Sequence, residues 1–326
     1  MATVDKIKYV LNEPFTNFLK NLLHEKFYQD SPEKVVRLLE VGCGPGDFAL
    51  ISKETFNGKI NITAIDPSDD IEQAFKKSIG SDVQFLKEDI FTYKSDEKFD
   101  VVLFSKSLHH CNPVDQALKI AYSLLSDNGV LIAEEIQFEL ANDNDVTWFL
   151  ERLDLVRSAG CFISKEERIE TAGPTQKPML SKILDPSLPL SERWFTPHTH
   201  SHGSEHEHAH EKHHHVHEGA HEHSHDHQHH HHHQKSNEDQ KKLDREDPNQ
   251  IATSNSIRVA INAQFGKENV QMNIVPFFYQ FFHFFGLKTD DTCQAVLREV
   301  MKQEQRAVNE SKLNPFGLNI VAFKKN

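Results

Sequence analysis

The stretch LLEVGCGPGDFAL, Leu38 to Leu50, sets branched apolar residues against an acid and three alternating glycines, Glu40-x-Gly42-x-Gly44-x-Gly46. Glycines at a strand-to-helix turn let a ligand come close to the backbone. Dinucleotide sites use G-x-G-x-x-G to seat a pyrophosphate on a helix amino terminus. Here the spacing differs, and an acid ahead of the glycines would repel a phosphate and attract an amino group. The chemistry implied is recognition of a ligand that carries an ammonium group and no phosphate. Two other groups of residues bear chemistry. His109 and His110, adjacent in SKSLHH, have a side-chain pKa suited to a general base. Of 23 histidines only His24, His109, His110 and His283 lie outside His198 to His233, which leaves 19 imidazoles in one tract.

These residues must be positioned by the elements around them. VVRLLEV, KINITAI, VQFL, FDVVLF and GVLIAEE are short apolar runs that predict strands, and DIEQAFKKSIG and PVDQALKIAYSLLSD between them have helical periodicity. Strands apolar on both faces and separated by helices predict an α/β fold with a doubly wound, mostly parallel sheet. After the fifth strand come a helical pattern in DVTWFLERLDLVRSAG and, much later, another in SNSIRVAINAQFG. A strand VQMNIV, a long helix from Asp290 to Ser311 and a final strand GLNIVAF would complete the sheet. The glycine loop then ends the first strand, and the two histidines follow the fourth, at the edge where such sheets bind ligands.

The His-rich tract has almost no apolar residues and cannot offset its ordering entropy by burial. The organisation expected is therefore a first part of one domain over residues 1–160 and a partly ordered cap or linker over 161–197. A disordered His-rich insertion at 198–250 and the carboxy-terminal part of the domain at 251–326 follow. The formal net charge of −13 argues against capture of nucleic acid, which needs clustered Lys and Arg. Cys43, Cys111, Cys161 and Cys293 lie far apart with no paired spacing, and MATVDKIKYVLNEPF has no basic region followed by an apolar stretch. Both features point to a reducing, cytoplasmic setting. IVPFFYQFFHFFGL falls short of the roughly 20 residues of a membrane span, so none is expected.

With the glycine loop, Asp66 at the end of KINITAID, Asp89 in VQFLKEDIF and the SLHH strand in register, the chain resembles the class I S-adenosylmethionine-dependent methyltransferases. The likeness is strong from about Val35 to Glu135, weak in the carboxy-terminal strands, and closest to the broad branch acting on small molecules. The resemblance implies a Rossmann-like sheet of seven strands with the last antiparallel. It assigns Glu40, Gly42, Gly44 and Gly46 to the cofactor loop, Asp66 to the ribose and Asp89 to the adenine amino group. Ile90 would pack on the adenine ring, and Ser105 joins the same cofactor set. The sulfonium carries an activated methyl group, so the protein would supply alignment and desolvation for an in-line displacement.

Several readings stay open at this level. His109 or His110 would take the acceptor proton, or LHH is a packing and loop feature, as is common at this place in the family; Glu134 and Glu135 are weaker candidates. No Asp/Asn-Pro-Pro-Tyr follows the fourth strand and no Pro-Cys nucleophile is present, so the acceptor is read as small or lipid-like, with protein acceptors open. Phe277, Phe278, Phe281, Phe282, Phe284 and Phe285 fall near helical spacing and would wall an apolar acceptor pocket or form core. The tract would bind Zn or Ni weakly, through residues such as His206, His208, His210, His213, His229 and His231, or act as an inert linker. The alternative to an enzyme is a protein that keeps the nucleotide fold for binding or metal buffering without turnover.

Overall fold

A computed structural model of the 326-residue chain describes residues 4–173, 176–193 and 251–325. The apolar runs form strands β1 (Val36–Val41), β2 (Ile60–Ile65), β3 (Gln84–Leu86), β4 (Phe99–Ser105), β5 (Leu125–Ile136), β6 (Val270–Val275) and β7 (Gly317–Phe323). They make one sheet in the order β3-β2-β1-β4-β5-β7-β6. The first five strands are parallel, and β7 runs antiparallel to both of its neighbours, β5 and β6. This is the doubly wound seven-stranded α/β sheet with an antiparallel last strand that the sequence implies. Strand order reverses between β1 and β4, so the crossovers leave in opposite directions and open a crevice at the carboxyl ends of those two strands.

Eleven helices are described: α1 (Lys6–Leu23), α2 (Asp47–Phe56), α3 (Ile71–Lys77), α4 (Val114–Leu124), α5 (Asp143–Ser158), α6 (Lys165–Glu170), α7 (Lys177–Ile183), α8 (Leu190–Arg193), α9 (Ser254–Phe265), α10 (Phe278–Phe284) and α11 (Asp291–Asn309). The period of two along β1 distributes them. Leu38 packs with Phe15 and Leu19 of α1 and Phe48 of α2 on one face, while Leu39 and Val41 pack with Leu118 of α4 and Ile257 and Ile261 of α9 on the other. Residues 194–250, between α8 and α9, hold Trp194, Phe195 and the His-rich tract, and the expectations for them lie outside the described residues. The portions on either side of that segment belong to a single compact unit.

A third apolar cluster gathers Leu11 of α1, Phe149 of α5, Leu180 of α7, Phe278 and Phe282 of α10 and Leu297 of α11. The phenylalanine segment is thus largely core. Phe278 stacks on Phe149 and on Phe316 with ring centroids 5.5 and 4.7 Å apart, whereas Phe281 and Phe284 are only partly buried. Neither this segment nor any other helix among the described residues is long and apolar enough to cross a membrane.

The start of α10 is held from a distance. Its first backbone N–H groups have no intrahelical partner. Glu304 of α11, 1% exposed, accepts from Phe277 N at 2.6 Å, Phe278 N at 2.7 Å and Tyr279 N at 3.0 Å. Burial raises its carboxyl to about 7 against the lowering effect of those three donors. Glu304→Ala should leave the three donors unanswered in the interior and lower stability by about 2–4 kcal/mol, while Glu304→Gln, which keeps one acceptor oxygen, should lose less. Denaturant titration of the three chains checks this, and an unchanged midpoint in the alanine variant would contradict it.

Candidate active site

β1 ends at Val41, and the loop that follows is fixed by two neighbouring strands. Gly42 N and Cys43 N donate to Ile65 O at the end of β2, at 2.8 and 3.1 Å. Gly42 has φ +72°, and a Cβ there would stand 2.5 Å from Ser107 Cβ, just past β4. Ser107 is held in that place because its hydroxyl donates to Val41 O at 2.5 Å. Gly44 has φ +50° with open space where its Cβ would be, so its requirement is conformational and its ligand-facing side is free. Its N–H donates to Asp66 Oδ2 at 2.7 Å. Gly46, at the amino end of α2, packs inward, where a Cβ would meet Ala74 and the Phe85 ring.

Two adjoining cavities open over this loop and share Gly42, Gly44 and Lys106. The first, of about 440 Å³, is lined by Asp66, Asp89, Ile90, Phe91, Ser107 and His110. The second, of about 390 Å³, has Glu40 and Ser105 at its base and Phe277, Gln280, Phe281 and His283 on its wall. The structure therefore brings seven of the eight expected cofactor residues to one continuous pair of cavities; Gly46 lines neither. Of the two expected histidines, only His110 lines a cavity.

The polar groups divide into those already answered and those left open. Asp66 accepts from Gly44 N and, through Oδ1, from Ser68 N at 2.8 Å and Ser68 Oγ at 2.5 Å, which ties the β2 loop to the glycine loop. Asp89 Oδ1 takes Phe91 N at 3.0 Å. His109 is buried, with Nδ1 2.6 Å from Glu135 Oε2, while Glu135 Oε1 accepts from Leu108 N at 2.8 Å and His109 O accepts from Ala252 N at 2.8 Å. His109 thus joins β4, β5 and the approach to α9. The His110 ring lies against it, centroids 4.2 Å apart, and desolvation followed by His109 itself lowers the His110 pKa from the ordinary imidazole value.

Three buried polar atoms in the second cavity have no partner among the described residues: Glu40 Oε2, Ser105 Oγ and His283 Nδ1. Glu40 is 1% exposed, and burial raises its carboxyl to about 8; Lys106 opposes that shift, and Asp66 and Asp47 add to it. Burial, then the Lys8 ammonium, lowers His283 to about 4. Lys106 makes no hydrogen bond to Glu40 Oε2; its Nζ donates to Glu134 Oε2 at 2.9 Å and Asn12 Oδ1 at 3.2 Å. A buried carboxylate with an open oxygen, facing a cavity, is a receptor for a cation with hydrogens to give.

Lys8, Leu11 and Asn12 of α1, Lys106, Gln280 and His283 also line the second cavity, and none was expected there. Only a weak signal for α1 exists in the sequence, in the spacing of Ile7, Val10, Leu11, Phe15 and Leu19, with Pro14 interrupting it. Among the described residues no group of three or more His, Cys, Asp or Glu could hold a metal ion, and the residues expected to bind Zn or Ni lie outside them.

Part of the chain is similar to known proteins. The methyltransferase domain family matches residues 38–129. An uncharacterized methyltransferase of Staphylococcus carnosus is 33% identical over 105 residues, covering 32% of this chain and 48% of that protein. The ubiquinone biosynthesis O-methyltransferase of Pelagibacter ubique is 31% identical over 107 residues, covering 31% and 42% respectively. The chain thus spans about half the length, or less, of these curated relatives. Among solved structures, the plantazolicin methyltransferase BpumL in complex with a triazolic desmethylPZN analog and SAH aligns over 98% of this chain and 90% of that one, at 13% identity and a TM-score of 0.44.

The open carboxylate has a consequence that needs no ligand to measure. Because the folded-state pKa of Glu40 is raised from 4.5 to about 8, its protonated form is favoured by folding. That contribution is fully present below the unfolded pKa and is lost as pH rises through the folded one. Glu40→Gln, neutral throughout, should therefore gain stability relative to the parent chain between about pH 5 and pH 9. Denaturant titrations at several pH values test this, and parallel stability curves for the two chains would refute it.

Proposed function

We propose, for a chain whose residues 38–129 match the methyltransferase domain family, that it is a class I S-adenosylmethionine-dependent enzyme that transfers a methyl group from S-adenosylmethionine to a small, largely apolar acceptor by in-line displacement. The observation that carries this reading is the buried Glu40 carboxylate, open at Oε2, at the head of a glycine loop at the switch point of the sheet. It suits the methionine ammonium and would repel a phosphate. Asp66 keeps one acceptor site, on Oδ2, for a ribose hydroxyl beyond those used by Gly44 N, Ser68 N and Ser68 Oγ, and Asp89 and Ile90 offer an acceptor and an apolar edge for adenine. When bound, the sulfonium supplies the activated methyl group.

The chain's own residues would do the rest. Phe281 and Phe284 of α10, with Phe277 just before it, face the Glu40 cavity, where they would enclose an apolar acceptor and exclude water. Their partial burial distinguishes Phe281 and Phe284 from the core members of that segment. His110 faces the adjoining cavity with a lowered pKa, so it is neutral near pH 7 and able to accept a proton from the acceptor. His109, tied to Glu135, would act by fixing the turn that carries His110. The scheme needs no metal; the weak Zn or Ni binding proposed for the His-rich tract rests on its composition alone, and a cytoplasmic setting on the cysteine pattern alone.

Calorimetry with S-adenosylmethionine tests the central assignment. Glu40→Gln and Asp66→Asn should each weaken binding by about 1.5–3 kcal/mol, the usual worth of a charge-assisted hydrogen bond, and NAD should not bind. Binding near neutral pH should also release a proton from Glu40 to the buffer, visible as a heat that scales with buffer ionisation enthalpy and vanishes in Glu40→Gln. Unchanged affinity in both variants, or NAD binding, would overturn the assignment. The acceptor is sought by incubating the chain with labelled S-adenosylmethionine and fractionated cell extract. Once it is known, His110→Ala should lower turnover with cofactor affinity intact, whereas His109→Ala should chiefly lower stability.

A further inference from the structure

The Glu40 cavity has a neighbour on the far side of a hydrogen-bonded partition. Lys106 Nζ, on the cofactor side, donates to Glu134 Oε2 at 2.9 Å, and Gln280 Nε2, also on the cofactor side, approaches Tyr279 Oη at 3.4 Å. Glu134 and Tyr279 line a different cavity, of about 540 Å³. Its floor is a row of three residues in register across β5, β7 and β6, Glu134 opposite Asn319 and Asn319 opposite Asn273. Its walls are Phe15 and Phe18 of α1, Val275, Tyr279 and Met301 of α11. None of these residues has a part in the transfer scheme above.

The polar inventory of this cavity restricts what it can take. Each charged side chain that lines it already has a partner: Glu134 has Lys106, Arg298 has Glu13, and Lys302 has Glu299 at 3.8 Å. Of these only Glu134 is buried, at 3% exposure, whereas Arg298 and Lys302 are 48% and 69% exposed; a charge directed at the floor would therefore have to displace Lys106 or lie buried and unpaired, which is costly. By contrast, the amide of Asn319 is 5% exposed and its Oδ1 has no partner among the described residues. A buried amide without a partner is itself unfavourable and is relieved by a ligand that hydrogen-bonds to it. A ligand amide, with one donor and one acceptor, meets Asn319 whichever way the side-chain amide is turned.

We propose that this cavity is a second small-molecule site, separate from the cofactor and acceptor cavities, for an uncharged ligand with an aromatic or aliphatic body and an amide or similar hydrogen-bonding head directed at Asn319. The apolar walls take the body, and Asn319, the buried amide with an unpartnered oxygen, selects the head, while the amides of Asn273 and Gln305 in the same lining are exposed to water.

The chain has four methionines, and the Met301 methyl reports on the cavity directly. The full chain labelled with methyl-13C methionine is titrated with four probes of similar size: acetanilide, ethylbenzene, benzoate and benzylammonium. The Met301 signal, assigned by its loss in Met301→Leu, should move saturably with acetanilide, at a concentration at least tenfold below that needed for any other probe. Asn319→Leu should weaken acetanilide at least tenfold and leave ethylbenzene equal or tighter. No saturable shift with acetanilide, equal response to all four probes, preference for either ion, or an Asn319→Leu chain that binds acetanilide as well as the parent would each overturn the proposal. Probe selectivity on the unmodified chain decides the matter even if Asn319→Leu lowers stability. No cofactor or methyl acceptor enters the measurement, so its outcome is separate from that of the transfer reading.

Discussion

A carboxylate on an inner strand of a parallel sheet is costly to bury, and Glu40 sits there with one oxygen unanswered. The surroundings hold that cost in place. β1 is flanked by β2 and β4, so Glu40 cannot swing to solvent, and the nearby ammonium of Lys106 is committed to Glu134 and Asn12. Relief can come from protonation or from a cation that arrives through the cavity. The glycine loop keeps that route open, since a side chain at Gly42 would strike Ser107 and one at Gly44 would project into the space a ligand needs. The sheet order, the loop and the open carboxylate are in this sense one arrangement.

Much of this was legible because it is local. Seven largely apolar runs became seven strands; β1 and β4 read as nearly continuous apolar segments because they are parallel strands buried on both faces. The glycine loop, Asp66 and Asp89 each follow a strand directly, so naming the strand places the residue. His109 and His110 were legible as a pair but not as two different things. Which of them meets the cavity depends on Glu135, 26 residues on, and on Ala252, from beyond the His-rich tract. The phenylalanine segment was open between wall and core because it is both, according to position along α10.

The remainder was illegible for a physical reason. The second cavity is closed by α1 and α10, which are far apart in sequence and meet through Gln280 donating to Leu11 O at 2.8 Å. Nothing in the local pattern of Asn12, Gln280 or His283 announces such a meeting. α1 itself was obscured by Pro14 within it and by polar residues interleaved with its apolar positions. Long-range closure of this kind is decided by packing, here the third apolar cluster, rather than by periodicity.

That third cluster has a consequence for how such a chain can change over generations. The groups that would grip the cofactor hang from the ends of β1, β2, β3 and β4, within or beside the two apolar layers that sandwich the sheet. The phenylalanine wall hangs instead from α10, rooted in a cluster that draws on α5, α7 and α11. Substitutions in that cluster can reshape the wall while leaving the strands and their glycine loop untouched. The matched family segment, residues 38–129, stops before α5 begins. A substitution in that cluster can thus alter the wall without touching the segment that matches the family.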